Sequence, residues 1–150
     1  SIGNEEDAEK CLGVAAEGVD VTTGEIDAEA YRTVVQQLVD KFGFKKVAIT
    51  LRESESADDN NWSAIYFDGD EILMGNKYAV RIVDRVGGGD AFCAGMIYGL
   101  TQDGWSSRQV LDFAVAPSAM AHTFHGDFNL VTAKEVMAVA GGDVTGRVQR

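Results

Sequence analysis

The segment that most restricts this chain is Val80-Arg-Ile-Val-Asp84-Arg-Val-Gly87-Gly88-Gly89-Asp90-Ala-Phe. Tyr78 to Val83 reads as a strand, and it runs directly into three consecutive glycines that open an apolar helix from Ala91 to about Thr101. The first N–H groups of a helix have no partner inside it, and the helix dipole adds positive potential there. Glycines let an anion approach that backbone closely. Asp90, in the first turn, would lie beside such an anion, placed to take a proton from a hydroxyl attacking a phosphate. On these residues alone, a loop with an ordinary helix-start acid explains the pattern equally well, because acidic side chains favour that end of any helix. Two better-known phosphate loops are excluded. No Gly-Lys-Ser/Thr follows, and Phe92 occupies the last glycine position of a dinucleotide fingerprint.

The rest of the chain supplies helices and short strands in alternation. Asn4 is an N-cap candidate for a helix carrying Ala8, Cys11, Leu12 and Ala15, with Gly18 as its end. Tyr31, Val34, Val35, Leu38, Val39 and Phe42 form the apolar stripe of a helix from about Asp27, closed by Gly43. Lys46 to Leu51 is a β-branched run of buried-strand length. Arg52 to Asn61 has no large apolar side chain and reads as an exposed, mobile loop. Trp62 to Phe67 and Glu71 to Met74 flank the turn Asp68-Gly69-Asp70 as a hairpin. Ser106 with Gln109, and Thr132 with Glu135, are capping boxes for the last two helices, the first expected to kink or end early at Pro117. The expected class is α/β with a mostly parallel sheet and a β-hairpin. Fewer central strands are present than an open sheet usually has, so residues 1–150 read as part of a longer protein.

Composition sets limits on partners. Thirteen Lys+Arg against 24 Asp+Glu give a net charge of −11, and the basic residues are scattered, which argues against a nucleic-acid partner. No apolar stretch reaches membrane-spanning length and no signal peptide is visible, so the expected location is cytoplasmic. Cys11 and Cys93 both fall in helical apolar patterns and read as buried, reduced thiols. His122 and His125 lack metal-ligand spacing.

Asp84-Arg-Val-Gly87-Gly88-Gly89-Asp90-Ala-Phe-Cys-Ala-Gly95 resembles the second signature of ribokinase-like (PfkB-type) carbohydrate kinases, D-T-x-G-A-G-D-x-F-x-A-G, with Arg85 for Thr and Gly88 for Ala. Asn4-Glu-Glu-Asp7 is similar to the family's N-x-x-E motif, with Asp for Glu. Ile49-Thr50-Leu51-Arg52 is similar to its T-L-G strand end. His122-Thr-Phe-His-Gly126-Asp-Phe-Asn-Leu-Val-Thr132 resembles the H-T-x-x-G-D-F-N-L-V-T run of the 2-keto-3-deoxygluconate kinase branch.

The resemblance implies the C-terminal half of a three-layer αβα fold, with the sugar-binding half and lid absent. It implies Asp90 as catalytic base and sugar contact, and Gly87, Gly88 and Gly89 as an anion hole. Thr50, Leu51, Arg52, His122 and Gly126 would lie at the nucleotide, with Asn4, Asp7 and Asp84 acting indirectly on a metal. ATP and Mg²⁺ would be the cofactors, with a monovalent cation as an optional addition. The implied reaction is phosphorylation of 2-keto-3-deoxygluconate to its 6-phosphate, the isolated chain being inactive. The rivals are a fructokinase, a ribokinase, or a non-catalytic nucleotide-binding fragment. A homo-oligomer of the full-length protein stays open.

Overall fold

The structure is a computed structural model that describes residues 1–15 and 28–142. In chain order the elements are β1 (Ile2–Asn4), α1 (Glu5–Lys10), α2 (Ala28–Phe42), β2 (Val47–Ser54), β3 (Asp59–Phe67), β4 (Ile72–Met74), β5 (Tyr78–Arg81), α3 (Gly88–Leu100), α4 (Ser107–Ala121) and α5 (Ala133–Ala140). The five strands form one sheet in the order β1-β2-β3-β4, with β5 also on β3. Strand side chains alternate between its two faces. Val47, Ile49, Leu51 and Ile65 pack with Tyr31, Val34, Val35 and Leu38 of α2. Ala48, Trp62, Ala64 and Tyr66 pack on the other side with Phe92 and Met96 of α3 and with Val110, Leu111, Ala114 and Val115 of α4. Helices therefore cover both faces of the sheet, and the α/β class and layered αβα architecture are as expected.

Strand direction needs a correction of detail. Only β1–β2 is parallel, whereas β2–β3, β3–β4 and β3–β5 are antiparallel. Parallel neighbours need a long crossover, and the turns at 55–58 and 68–71 are too short for one.

The second correction concerns residues 52–61, which are not a loop. Arg52 pairs with Trp62, Glu53 with Asn61 and Ser54 with Asn60, while Asp59 to Trp62 also pair with β5. The turn is tight. The amides of Glu55 and Ser56 donate to the Asp59 carbonyl, both at 3.0 Å, and Ser56 Oγ accepts from the amides of Asp58 and Asp59. Polar side chains concealed this hairpin because main-chain pairing along both edges holds the strand despite them, even with Asn60 buried; tertiary pairing overrides local propensity.

The expected Asn4 N-cap and the two expected capping boxes hold at the helix starts, and Asp7 completes a third box. Asn4/Asp7, Ser106/Gln109 and Thr132/Glu135 each form a reciprocal capping box. Gly43, at φ 68°, closes α2 with its amide on the Val39 carbonyl, although Phe42 is exposed and stacks on Phe44. Helix α1 stops at Lys10 with Cys11 as its C-cap, short of Ala15; Gly18 and Asp27 lie outside the described residues. Cys11 is consequently exposed rather than buried, and Cys93 is half-buried. Helix α4 does not end at Pro117 but continues to Ala121, held by burial on both sides of the proline and by Asn129, whose Nδ2 donates to the Pro117 carbonyl at 2.8 Å. Asp68 anchors the β3–β4 turn to α4. Its carboxyl accepts from the amides of Glu71 and Asp70 and from the Ser107 hydroxyl, which hold its pKa down to about 2. Among the described residues no helix is long and apolar enough to cross a membrane.

Hydrogen exchange separates an ordered hairpin from a mobile loop. The amides of Asn60, Asn61 and Trp62 should exchange as slowly as that of Ile65, with Ala57 at the turn orders of magnitude faster. Uniformly fast exchange from 55 to 61 would contradict the pairing.

Candidate functional site

Three helices of this fold begin with a side chain on their free amides, and α3 does not. Its N-cap is Gly87, at φ 82° and ψ −6°, and no side chain caps it. The Gly87 carbonyl takes the Ala91 amide at 2.9 Å, so the chain turns into the helix with the first-turn N–H groups of Gly88, Gly89 and Asp90 directed out of its start. A glycine is required at 87 on two counts. The left-handed conformation disfavours any Cβ, and a Cβ there would lie 2.7 Å from the Asp127 carbonyl oxygen. At Gly89 the surroundings are opposite: a Cβ would meet nothing within 4 Å. The helix start is thus walled by residue 127 and open above Gly89, with the exposed carboxylate of Asp90 in the same first turn.

The wall behind Gly88 is His122, whose Cε1 would stand 2.6 Å from a Cβ on that residue. His122 is buried at the C-cap of α4, and its ring lies on Trp62 with centroids 4.4 Å apart. Its Nδ1 is 2.7 Å from the Ser118 carbonyl, which can only accept, so Nδ1 carries the proton. Burial pushes the His122 pKa below its ordinary 6.5, and the cations of Arg85 and Arg52 act in the same direction. The ring is therefore neutral at pH 7. Behind it, Trp62 Nε1 donates to Ser118 Oγ at 2.9 Å, and Ser118 Oγ donates to the Gly88 carbonyl at 2.7 Å.

Asp84 holds the front of the loop. Its Oδ1 accepts from the amides of Arg85 (2.7 Å) and Val86 (3.1 Å), and its Oδ2 from the amide of Gly126 (3.0 Å). These bonds keep its carboxyl below the usual range. Arg85 Nη2 reaches the Ala57 carbonyl at 2.9 Å, tying the β2–β3 turn to the glycine loop. The structure thus gathers Asp84, Gly87, Gly88, Gly89, Asp90, His122 and Gly126 at one place. Arg52 reaches it through its cross-strand partner Trp62, with its guanidinium also 3.9 Å from Glu5.

Other expected residues sit differently. Thr50 is buried on the same sheet face, near the Gly3 carbonyl at 3.5 Å. Leu51 is fully buried on the α2 side, because strand alternation turns it away from its neighbours Thr50 and Arg52; it is a core residue and not a cleft contact. Asn4 and Asp7 serve the capping box of α1, Asp7 Oδ2 accepting the Asn4 amide at 2.9 Å. Among the described residues no three His, Cys, Asp or Glu side chains converge on a metal position. With Asp7 and Asp84 committed to backbone amides, these residues do not by themselves build a site for Mg²⁺ or for a monovalent cation. Sequence reasoning missed Trp62 and Ser118. The only available signal was the i, i+4 spacing of Ser118 and His122 on one helix face.

The model of the pfkB family of carbohydrate kinases matches residues 2–133. The chain belongs to that family. The crystal structure of 2-dehydro-3-deoxygluconokinase from Thermotoga maritima superposes with a TM-score of 0.84 at 42% identity, over 94% of this chain and 41% of that one. A curated relative, the 2-dehydro-3-deoxygalactonokinase of Haloferax volcanii, is 30% identical over 120 residues, which is 79% of this chain and 35% of the relative. Ribokinase from Cryptococcus neoformans, solved with ADP, shares the fold at 22% identity with a TM-score of 0.60, over 92% of this chain and 43% of that one. The chain thus spans roughly a third to two-fifths of the length of these relatives.

The glycines make separable predictions. Gly87→Ala should destabilise by at least about 1–2 kcal/mol from the left-handed backbone alone, and Gly88→Ala by about 1–3 kcal/mol because His122 must move. Gly89→Ala should leave stability unchanged or raise it by up to about 1 kcal/mol. Urea unfolding of the three variants checks the order. His122 generates a pH dependence. The unfolded chain takes up a proton near 6.5 and the folded chain only below that, so stability is lost as pH falls from about 6.5 towards the lowered pKa. His122→Gln should flatten the stability curve in that window.

Proposed function

We propose that this chain is the nucleotide-binding, base-bearing part of an ATP-dependent kinase acting on a 2-keto-3-deoxy sugar acid, with 2-keto-3-deoxygluconate the leading substrate. The observation that carries the reading is the start of α3, uncapped, open above Gly89, with Asp90 exposed in its first turn. The Asp90 carboxylate accepts the proton of the terminal hydroxyl as that oxygen bonds to the γ-phosphorus. The bond from phosphorus to the β–γ bridging oxygen breaks, and ADP leaves. The amides of Gly88, Gly89 and Asp90 face the oxygens of the transferring group, where charge is spread in the transition state. His122, Arg52 and Gly126 border the nucleotide, and Thr50 supports that border from below. Mg²⁺, as a companion of ATP, would neutralise phosphate charge.

The sugar-binding half and the lid would lie outside residues 1–150. The share of the relatives' length that the chain spans supports this. So do Ile97 and Leu100, which are 59% and 44% exposed on α3, the helix that lies against β1. The keto-deoxy sugar-acid class is supported by the relatives of Thermotoga and Haloferax.

Assay of ADP release by the complete protein, with 2-keto-3-deoxygluconate, its galactonate epimer, fructose and ribose, tests the reading. A keto-deoxy acid should be the preferred acceptor. Asp90→Asn should lower turnover by at least about 10²–10⁴-fold while ATP affinity stays within a few-fold, since general-base catalysis is worth that much and amides hold the phosphates. Undiminished turnover by Asp90→Asn would remove Asp90 from this role. Preference for fructose or ribose would move the substrate to another branch.

A further inference from the structure

The buried contacts behind the glycine loop bear on how its amides are aimed. An indole N–H only donates, so Ser118 Oγ accepts from Trp62, and its single proton goes to the Gly88 carbonyl. Ser118 is fully buried, so no water competes for either bond. The peptide joining Gly88 to Gly89 is a rigid trans plane, in which C=O and N–H point in opposite directions. Pulling the Gly88 carbonyl towards Ser118 therefore turns the Gly89 N–H away from α4. A Cβ on Gly89 would meet nothing within 4 Å, so the residue itself stands in open space. His122, packed on the Cα of Gly88 and anchored through Nδ1 to the Ser118 carbonyl, keeps the plane from rotating back. Both glycines lie in the first turn of α3, so the brace from Ser118 adds to the helix's own hold on this plane where neither residue has a side chain to add one.

We propose that Ser118, its hydroxyl oriented by Trp62, is a positioning residue for phosphoryl transfer that aims the Gly89 amide at the transferring group. The proposal rests on the phosphoryl-transfer reading above. Ser118 touches neither substrate nor nucleotide; it acts through the Gly88–Gly89 peptide. A donor that matters for charge developing in the transition state affects kcat more than ground-state binding.

The test compares wild type, Ser118→Ala, Ser118→Cys, Trp62→Phe and the Ser118→Ala/Trp62→Phe double variant in the complete protein. Steady-state kinetics are read alongside the ¹⁵N–¹H resonance of Gly89 during titration with ADP and aluminium fluoride, which together mimic the transferring group. Ser118→Ala should lower kcat by about 10–100-fold, the scale set by misplacing or losing one such donor, with KM for ATP and sugar within about threefold. Ser118→Cys, close in size but a weak donor, should keep the fold and give an intermediate loss, so the test survives if the alanine variant unfolds. The double variant should be no worse than Ser118→Ala, because the two residues act in series. The shift of the Gly89 amide induced by ADP and aluminium fluoride should shrink in the same order.

Loss of stability with kcat retained would overturn the proposal. So would independent, additive losses for the two sites, or a Gly89 shift equal in all variants. If the wild type phosphorylates none of the sugars, yet ADP with aluminium fluoride moves the Gly89 amide less in Ser118→Ala than in wild type, the kinase reading fails while the aiming of Gly89 by Ser118 stands. If ADP with aluminium fluoride leaves the Gly89 amide unmoved in wild type, the anion site fails and the proposal with it.

Discussion

The close packing of α3 on α4 is the constraint on which the rest of the molecule turns. Three glycines of α3 face α4 along one stripe, spaced so that they share a side of the helix. A Cβ on Gly95 would lie 2.8 Å from the Ala114 Cα, and one on Gly99 3.1 Å from the Val110 Cα. Any side chain there would push the helices apart. At the N-terminal end of the stripe, Gly88 meets His122 and Ser118. The same approach that closes the core therefore delivers the first turn of α3, with its free amides, onto a buried polar brace.

The sheet completes the brace from the other side. Trp62 projects from β3 on the face shared by Ala64 and Tyr66, which places its ring under His122 and its N–H on Ser118. The β2–β3 turn is tied to the glycine loop through Arg85 and Ala57, and the segment after α4 through Asp84 and Gly126. Each tie uses a backbone amide or carbonyl as one partner. The loop is held at its front by the side chains of Asp84 and Arg85 and from behind by the Gly88 carbonyl on Ser118, which leaves the open side at Gly89 free of the protein's own side chains.

What the sequence revealed follows from how local each signal is. The strand–glycine–helix arrangement, the Asn4 N-cap, the two later capping boxes and the end of α2 at Gly43 were legible because each is written within a few neighbouring residues. The hairpin through 52–61 was not, because its order comes from pairing along both edges of β3 and not from apolar content. Leu51 was grouped with Thr50 and Arg52 by motif, but strand alternation sends it into the opposite core. Ser118 and Trp62 were invisible for a different reason. Their bonds join residues 56 and 30 positions apart, Trp62 to Ser118 and Ser118 to Gly88, and a serine among alanines in a helix gives no sign of such partners. Gly88 acquires a second meaning from the fold: where the family signature carries alanine, this chain has glycine because the His122 ring occupies the space of the methyl group.

The central claim is that the open start of α3 receives the transferring phosphoryl group. A crystal structure of the complete protein with ADP and aluminium fluoride, a mimic of that group in flight, tests it most directly. Fluoride is expected within hydrogen-bond distance, about 2.7–3.2 Å, of the amides of Gly88, Gly89 and Asp90, with the Asp90 carboxylate facing the acceptor side. ADP and fluoride bound elsewhere, with the first turn of α3 left to solvent, would contradict it.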